Sequence, residues 1–407
     1  MLASYSNDES GTSEDPRYLS EQLVTCIGNK RALLEFIGMG VARARARLGG
    51  RKLDILDAFS GSGVVSRYFK RFARRLIAND LELYADIANR CYLANAESLD
   101  LRRLAEMHRE LLADIEGAAF DRGENGVGGA GGAGGREGFV AELYAPKDDE
   151  AIGPGERVFY TRRNARFIDR ARLLIERLDP ADRPFFLAPL LSEASIHANT
   201  AGVFKGFYKD SATGIGRFGG RAGDALSRII GNIALPFPLF SRFSCQVETL
   251  RGDAAATADT VAAAGATATP AGAAEKAGEI DLAYLDPPYN QHPYGSNYFM
   301  LNLIAEGRRP ERISAVSGIP TDWRRSDYNS ASKAILALDG LVGRLAAKFV
   351  LVSFNSEGYI ARNEMETLLR RHGRLEVLER DYNVFRGSRN LGSRALKVKE
   401  FLYLLEK

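Results

Sequence analysis

The sequence predicts an α/β protein built on a Rossmann-like, doubly wound sheet, and three observations carry that reading. A buried-strand pattern, Leu53-Asp54-Ile55-Leu56-Asp57-Ala58-Phe59, runs straight into a glycine-rich turn and a helical stretch. A second strand pattern, Arg75 to Asn79, ends in Asp80 and is again followed by helical periodicity. A third apolar run, Ile280 to Leu285, stops at Asp286-Pro287-Pro288-Tyr289. Strand and helix patterns that alternate in this way build parallel sheets.

In chain order, Gly28 to Val41 reads as an amphipathic helix after a turn, and Lys52 to Phe59 as a buried strand. A helix follows from Val64 to about Phe72. After the strand Arg75 to Asn79, a long helix is expected to run to about Glu97. Val158 to Leu178 is a basic stretch leading into an amphipathic helix, and Arg183 to Phe204 reads as a helix ending near Gly202. Phe204 to Leu226 is rich in Gly, Lys and Arg with interleaved Phe and Tyr. Strands resume at Ser244 to Leu250 and Lys348 to Asn355. The last two, Leu375 to Val384 and Val398 to Leu405, suit an antiparallel hairpin at a sheet edge.

Two segments lack the side chains to build a core. Gly117 to Gly138 contains a run of glycines broken only by alanine and valine, which predicts a surface loop that tolerates shortening across 126–135. Ala254 to Gly278 is Ala- and Thr-rich without an evident apolar face, so it is expected to be a poorly ordered insertion. The domain scheme that results places the first part of a catalytic domain at 17–115 and the Gly-rich loop at 116–138. An inserted, largely helical region follows at 139–243. The rest of the catalytic domain is 244–407, with the insertion 254–278 inside it.

A chain of 407 residues with 45% hydrophobic and 26% charged residues has the composition of a globular enzyme. No apolar run reaches membrane-spanning length. Met1 to Arg17 is polar and acidic, so no signal peptide and a cytoplasmic location are expected. The scattered Cys26, Cys91 and Cys245 and the four histidines have no ligand spacing, which predicts no metal site. Net charge is only +3, yet Arg157 to Arg228 carries thirteen basic against seven acidic residues. A second basic cluster includes Arg380, Arg386, Arg389 and Arg394. Clustered cations of this kind suit a polyanion, although charge alone equally describes a solvated surface.

The chemistry lies in two motifs. In Asp57-Ala58-Phe59-Ser60-Gly61-Ser62-Gly63, the glycines permit a tight turn and close approach of backbone to a ligand. Asp80, at the tip of the second strand, stands where doubly wound folds place an acid on ribose hydroxyls. A dinucleotide fingerprint would require glycine at 66, where Ser66 stands, so a nucleoside-type cofactor without pyrophosphate, such as S-adenosylmethionine, fits better. In the second motif, Asp286 and the carbonyl of Pro287 can each accept an N–H of an exocyclic base amine, which localises its lone pair. Pro287 and Pro288 preorganise those acceptors, and Tyr289 offers a face for the base. The base must leave the duplex to reach them. No Pro-Cys nucleophile motif of the kind used at cytosine C5 is present.

These residues resemble the D12-class adenine-N6 DNA methyltransferases, in which the cofactor motif comes first and Asp-Pro-Pro-Tyr comes late. The similarity covers most of the chain outside the two low-complexity segments, which are longer than the group leads one to expect. The resemblance implies a Rossmann-like methyltransferase sheet that uses S-adenosylmethionine, with the inserted helical region recognising the DNA target. It implies cofactor contacts from Gly28 and Lys30, with Lys30 near the methionine carboxylate, and from Asp57, Phe59, Gly61, Gly63, Asp80 and Asp253. Asp286, Pro287, Pro288 and Tyr289 would be catalytic. The middle segment would supply DNA contacts from Arg162, Arg163, Arg166, Asn199, Lys205, Lys209, Arg217 and Arg221, with Arg386 and Arg389 adding others. The expected partners are double-stranded DNA and, as for many members of the group, a cognate restriction endonuclease. The residues themselves leave open N4 of cytosine, an RNA adenine or a protein amide as acceptor, and a DNA-binding protein that has lost catalysis.

Overall fold

A computed structural model of the chain describes residues 13–25, 27–117, 138–220, 223–267, 279–289, 291–383 and 397–407. Most of the Gly-rich stretch, the end of the Ala-rich one, Arg221, Asn290, Val384, Arg386 and Arg389 lie outside the described residues. The core is one seven-stranded sheet of β1 (Leu53–Asp57), β2 (Ala73–Asp80), β3 (Gln246–Arg251), β4 (Ile280–Leu285), β5 (Ala347–Asn355), β6 (Arg374–Asn383) and β7 (Lys397–Glu406). Their order is β3-β2-β1-β4-β5-β7-β6. The five strands from β3 to β5 run parallel, and β7 is inserted antiparallel between β5 and the edge strand β6. This is the Rossmann-like sheet expected, closed by the expected hairpin.

The strand order sets the position of a ligand crevice. From β1 the chain winds outward through β2 and β3, then returns to the far side of β1 for β4 and β5. The switch point therefore lies between β1 and β4, and open α/β sheets bind ligands at the carboxyl ends of the strands there. Asp57 pairs with Tyr284 across that boundary, so the turn after β1 and Asp286 after β4 emerge side by side.

Helices cover both faces. On one face α1 (Leu34–Arg47) and α2 (Val64–Phe69) pack over Leu53, Ile55, Leu76, Leu282, Leu351 and Leu404. On the other, α9 (Ala254–Thr267), α12 (Ala331–Arg344) and α13 (Arg362–Arg370) cover Leu56, Ile77, Ala283, Val350, Val352 and Leu405. Because the strands are buried on both faces, β1 and β4 read as continuous apolar runs rather than alternating ones. Each fully buried Leu or Val contributes about 1.5–3 kcal/mol. A third core joins α3 (Leu83–Tyr92) to α4 (Leu101–Glu116), α5 (Phe139–Tyr144), α6 (Arg162–Glu176), α7 (Arg183–Ile196) and α11 (Phe299–Glu306). Short helices α8 (Leu226–Ile230) and α10 (Tyr294–Asn297) complete the described set. None of these helices is long and apolar enough to cross a membrane.

Several expectations need correction. The helix read at Gly28 to Val41 begins as a 3-10 turn, Lys30–Leu33, with the Asn29 side chain accepting the Arg31 N–H, and then runs on to Arg47. The helix after β2 stops at Tyr92, because Lys70 Nζ donates to the Leu93 carbonyl (2.6 Å) and to Asn95 Oδ1 (2.7 Å) and turns the chain. The helix from Arg183 ends at Ile196 rather than near Gly202. The Ala-rich insertion is not poorly ordered at its start: Ala254 to Thr267 is helix α9. Its buried residues among those described are Ala254, Thr257, Ala258 and Val261. That spacing is a helical face, made of side chains so small that it does not stand out as apolar.

Candidate active site

The glycine-rich turn is held from beneath. Gly61 (φ 53°) and Gly63 (φ 74°) both lie in the left-handed region that other residues avoid. A Cβ on Gly61 would meet nothing within 4 Å, so that side of the turn faces open space. Asp80 fixes the turn: its Oδ2 accepts the Gly61 N–H at 2.7 Å and its Oδ1 accepts the Glu82 N–H at 2.9 Å. Asn79 ties three elements together. Its amide donates to the carbonyls of Ala58 and Gly252, and its Oδ1 accepts the Thr257 hydroxyl from α9. Asp253 caps the same helix, accepting the Ala255 N–H at 2.9 Å.

Beneath the turn, Asp57 is fully buried. Its Oδ2 accepts the Ser66 hydroxyl at 2.6 Å, and its Oδ1 has no partner among the described residues. Ser66 therefore anchors an acid at the position where a dinucleotide fold would use glycine to bring helix and strand together. Burial pushes the Asp57 carboxyl up to about 7, despite the Ser66 bond, with Asp286 adding to the rise.

The Asp286-Pro287-Pro288-Tyr289 motif leaves β4 with Asp286 still open to the cleft, its side chain 17% exposed. Lys30 Nζ lies 3.2 Å from Asp286 Oδ1 and 2.8 Å from Glu400 Oε1 on β7. Desolvation alone would push the Lys30 ammonium down, but the carboxylates of Asp286 and Glu400 hold it well above its ordinary value. Asp286 is pushed up to about 6, by burial first, with Lys30 opposing and Glu400 reinforcing the shift. Tyr289 packs edge-on against Phe354, with ring centroids 5.7 Å apart, and Lys30 Nζ stands 5.6 Å from its ring. Two further tyrosines fasten the N-terminal loop. Tyr294 Oη donates to the Ile27 carbonyl at 3.0 Å, and Tyr298 Oη accepts the Ile27 N–H at 2.6 Å.

These elements surround one cleft, lined by Gly28, Lys30, Phe59, Gly61, Asp80, Asp253, Asp286 and Pro288 among others. Asp57, Gly63, Pro287 and Tyr289 stand behind or beside its wall rather than on it. Lys30 lines the cleft as expected, but its ammonium is already engaged by two carboxylates. Sequence reasoning missed Glu82, Arg324 and Tyr328, which also line it. Glu82 is buried and raised to about 7, by desolvation first, while Asn302 donates to it. It missed Glu400 as well, whose signal was a lone acid within the apolar run Val398 to Leu405.

The expected DNA-contacting residues divide. Lys205 and Lys209 are exposed, and Lys209 Nζ sits 5.0 Å from the Phe207 ring. Lys205 lies close enough to His292, just past the catalytic motif, to depress its basicity alongside burial. Arg163 is exposed at the start of α6, and Arg166 is half-buried. Arg162 and Arg217 point partly inward, donating to the carbonyls of Ala141 and Gly220. Asn199 corrects the expectation: it is fully buried, donates to the carbonyls of Val158 and Arg217, and accepts the Gly219 N–H. It braces the basic segment from inside and reaches no surface.

The chain is similar in sequence to known DNA methyltransferases. A family model for D12 class N6 adenine-specific DNA methyltransferases matches residues 263–368, the stretch that holds β4, the catalytic motif and β5. The type II methyltransferase M.NlaIII of Neisseria lactamica is 26% identical over 392 residues, covering 94% of this chain and 98% of its own. M.CviAII of Paramecium bursaria Chlorella virus 1 is 25% identical over 385 residues, covering 93% and 97%. M.FokI of Planomicrobium okeanokoites is 23% identical over 362 residues, 86% of this chain but 48% of its own. Fold, cleft and likeness define a DNA methyltransferase. Residues 263–368 match the D12 class, and the likeness to type II methyltransferases runs along nearly the whole chain.

Proposed function

We propose that this chain transfers a methyl group from S-adenosylmethionine to N6 of an adenine flipped out of duplex DNA, at one short sequence, within a restriction-modification system. The observation that carries the reading is the placement of Asp286 beside the Gly61 turn, across the β1–β4 switch point and in one cleft. The residues fit the cofactor: the turn after β1 and Asp286 line the same cleft, and Gly61 faces open space that a side chain would fill. Asp57 Oδ1 beneath it is an unpartnered acceptor.

When bound, S-adenosylmethionine supplies an electrophilic methyl on a sulfonium. The protein holds the acceptor. Asp286 as carboxylate takes one N–H of the amine and the Pro287 carbonyl the other, which keeps the nitrogen lone pair free to attack. Tyr289 stacks the base, worth about 1–3 kcal/mol. Lys205 and Lys209, with Arg163 and Arg166, are read as phosphate contacts that bring the duplex over the cleft, and residues 139–243 as the target-recognition region. Expression in a host without adenine methylation, followed by single-molecule sequencing of its DNA, tests the whole. N6-methyladenine at one recurring sequence is the expected result. Methylcytosine, or unmodified DNA from a protein that binds the cofactor, would sink it.

A further inference from the structure

Glu400 takes no part in the reaction as read so far, and nothing in the site's chemistry requires a second buried acid. It sits in the middle of β7, 1% exposed, with its Oε1 2.8 Å from Lys30 Nζ and 2.7 Å from Ser353 Oγ on β5. The same ammonium is 3.2 Å from Asp286. One cation is thus shared by two carboxylates, only one of which faces the cleft. A buried charge stripped of its partner costs several kcal/mol, so a lysine paired with Asp286 alone would not release it. Asp286 in that state would keep its Oδ1 engaged by the lysine, which leaves fewer acceptor sites for the target amine.

We propose that Glu400 is a positioning residue: it gives Lys30 a permanent second partner, so that the ammonium can withdraw from Asp286 when the target amine arrives at that carboxylate. Ser353 keeps Glu400 in place by donating to the oxygen that Lys30 uses. The groups that act on Asp286 from the surrounding elements are Lys30 from the N-terminal loop, Glu400 from β7, Asp57 from β1, and Tyr284 from β4. Among them Glu400 and Lys30 act in opposite directions. Neutralising Glu400 leaves Lys30 wholly to Asp286, which then titrates lower and accepts less readily from a substrate.

The inference rests on the methyl-transfer reading, and the test separates the two. Full-length wild type, Glu400→Gln and Glu400→Asp are assayed from about pH 5 to 8.5 for single-turnover transfer of labelled methyl to genomic DNA from cells lacking adenine methylation. Binding of S-adenosylmethionine to each is measured by calorimetry. Glu400→Gln is expected to slow transfer about tenfold or more and move the acid limb to lower pH, with cofactor affinity within about threefold of wild type. Glu400→Asp, which keeps the charge but pulls it back, moves rate and limb the same way by less, and carries the test if the glutamine variant does not fold. An active wild type whose limb stays put in both variants, or whose variants lose cofactor affinity in parallel with rate, overturns the role of Glu400 alone. A wild type that binds cofactor but labels no DNA overturns the methyl-transfer reading, and this inference with it.

Discussion

Lys30 and Asp286 form an ion pair of 3.2 Å inside the cleft, linking the loop before α1 to the end of β4. The ammonium opposes the rise that burial imposes on the Asp286 carboxyl. Asp286→Asn preserves shape and removes the charge. Transfer should fall by about 10²–10³, the loss typical of a preorganised electrostatic contact, while calorimetry finds cofactor affinity little altered. Turnover near wild type would place the acceptor role elsewhere.

The pH dependence follows from the same carboxyl. Burial raises Asp286 to about 6 in spite of Lys30. Below that value it becomes a donor, and it can no longer hold the amine N–H. The rate of single-turnover transfer should therefore drop on the acid side with an inflection near pH 6, by about tenfold per unit well below it. A rate that is flat from pH 5 to 7 would contradict this.

Asp57 makes a stability prediction of definite sign. Its folded value, about 7, lies above the roughly 3.9 of an unfolded chain. A carboxyl raised in this way favours the folded state fully below the unfolded value, and that contribution is lost as pH rises through 7. Asp57→Asn should thus melt higher than wild type at pH 8 and gain little or nothing at pH 4. Differential scanning calorimetry at the two values decides it, and the same variant should bind S-adenosylmethionine more weakly.

Lys205 is exposed beside His292, at the entrance to the catalytic motif. If it meets a phosphate, Lys205→Ala should weaken duplex binding across sequences and reduce the slope of log K against log salt by about 1. Fluorescence anisotropy at four or five salt concentrations measures it. An unchanged slope would make Lys205 a bystander.

Packing of α1 on α2 offers a test of the fold. A Cβ on Gly38 would lie 2.2 Å from the Tyr68 hydroxyl oxygen, in a core where Tyr68 is buried. Gly38→Ala should cost about 1–3 kcal/mol of unfolding free energy, read from urea titration. No loss would mean that Tyr68 has room to turn aside.

Much of this molecule was legible in its sequence because parallel strands buried on both faces announce themselves as short apolar runs. The chain order of β1, the Gly61 turn, β2 and β4 could be read directly, while the pairing of β1 with β4 that brings Asp57 and Asp286 together is seen only in the sheet. Long-range satisfaction of polar groups was harder to read. Asn199 is expected among the DNA contacts because of the resemblance, whereas here it fills the inside of a turn with three hydrogen bonds. Helix α9 does not stand out because its buried face, Ala254, Thr257, Ala258 and Val261, leaves little hydrophobic signal. Glu400 could have been suspected from its place in an apolar strand, but its partner lies 370 residues away and no local pattern points to it.

That separation has a consequence for how the protein is born. Chains emerge from the ribosome with the N-terminal part first and fold by units as they appear. The Gly61 turn and the catalytic motif are both synthesised before β7, which brings Glu400 to Lys30 and is itself inserted between β5 and β6. Until that last strand slots in, Lys30 lacks one of its two anchors and the sheet is open where it should be closed. A chain that stops short of β7 should therefore remain inert.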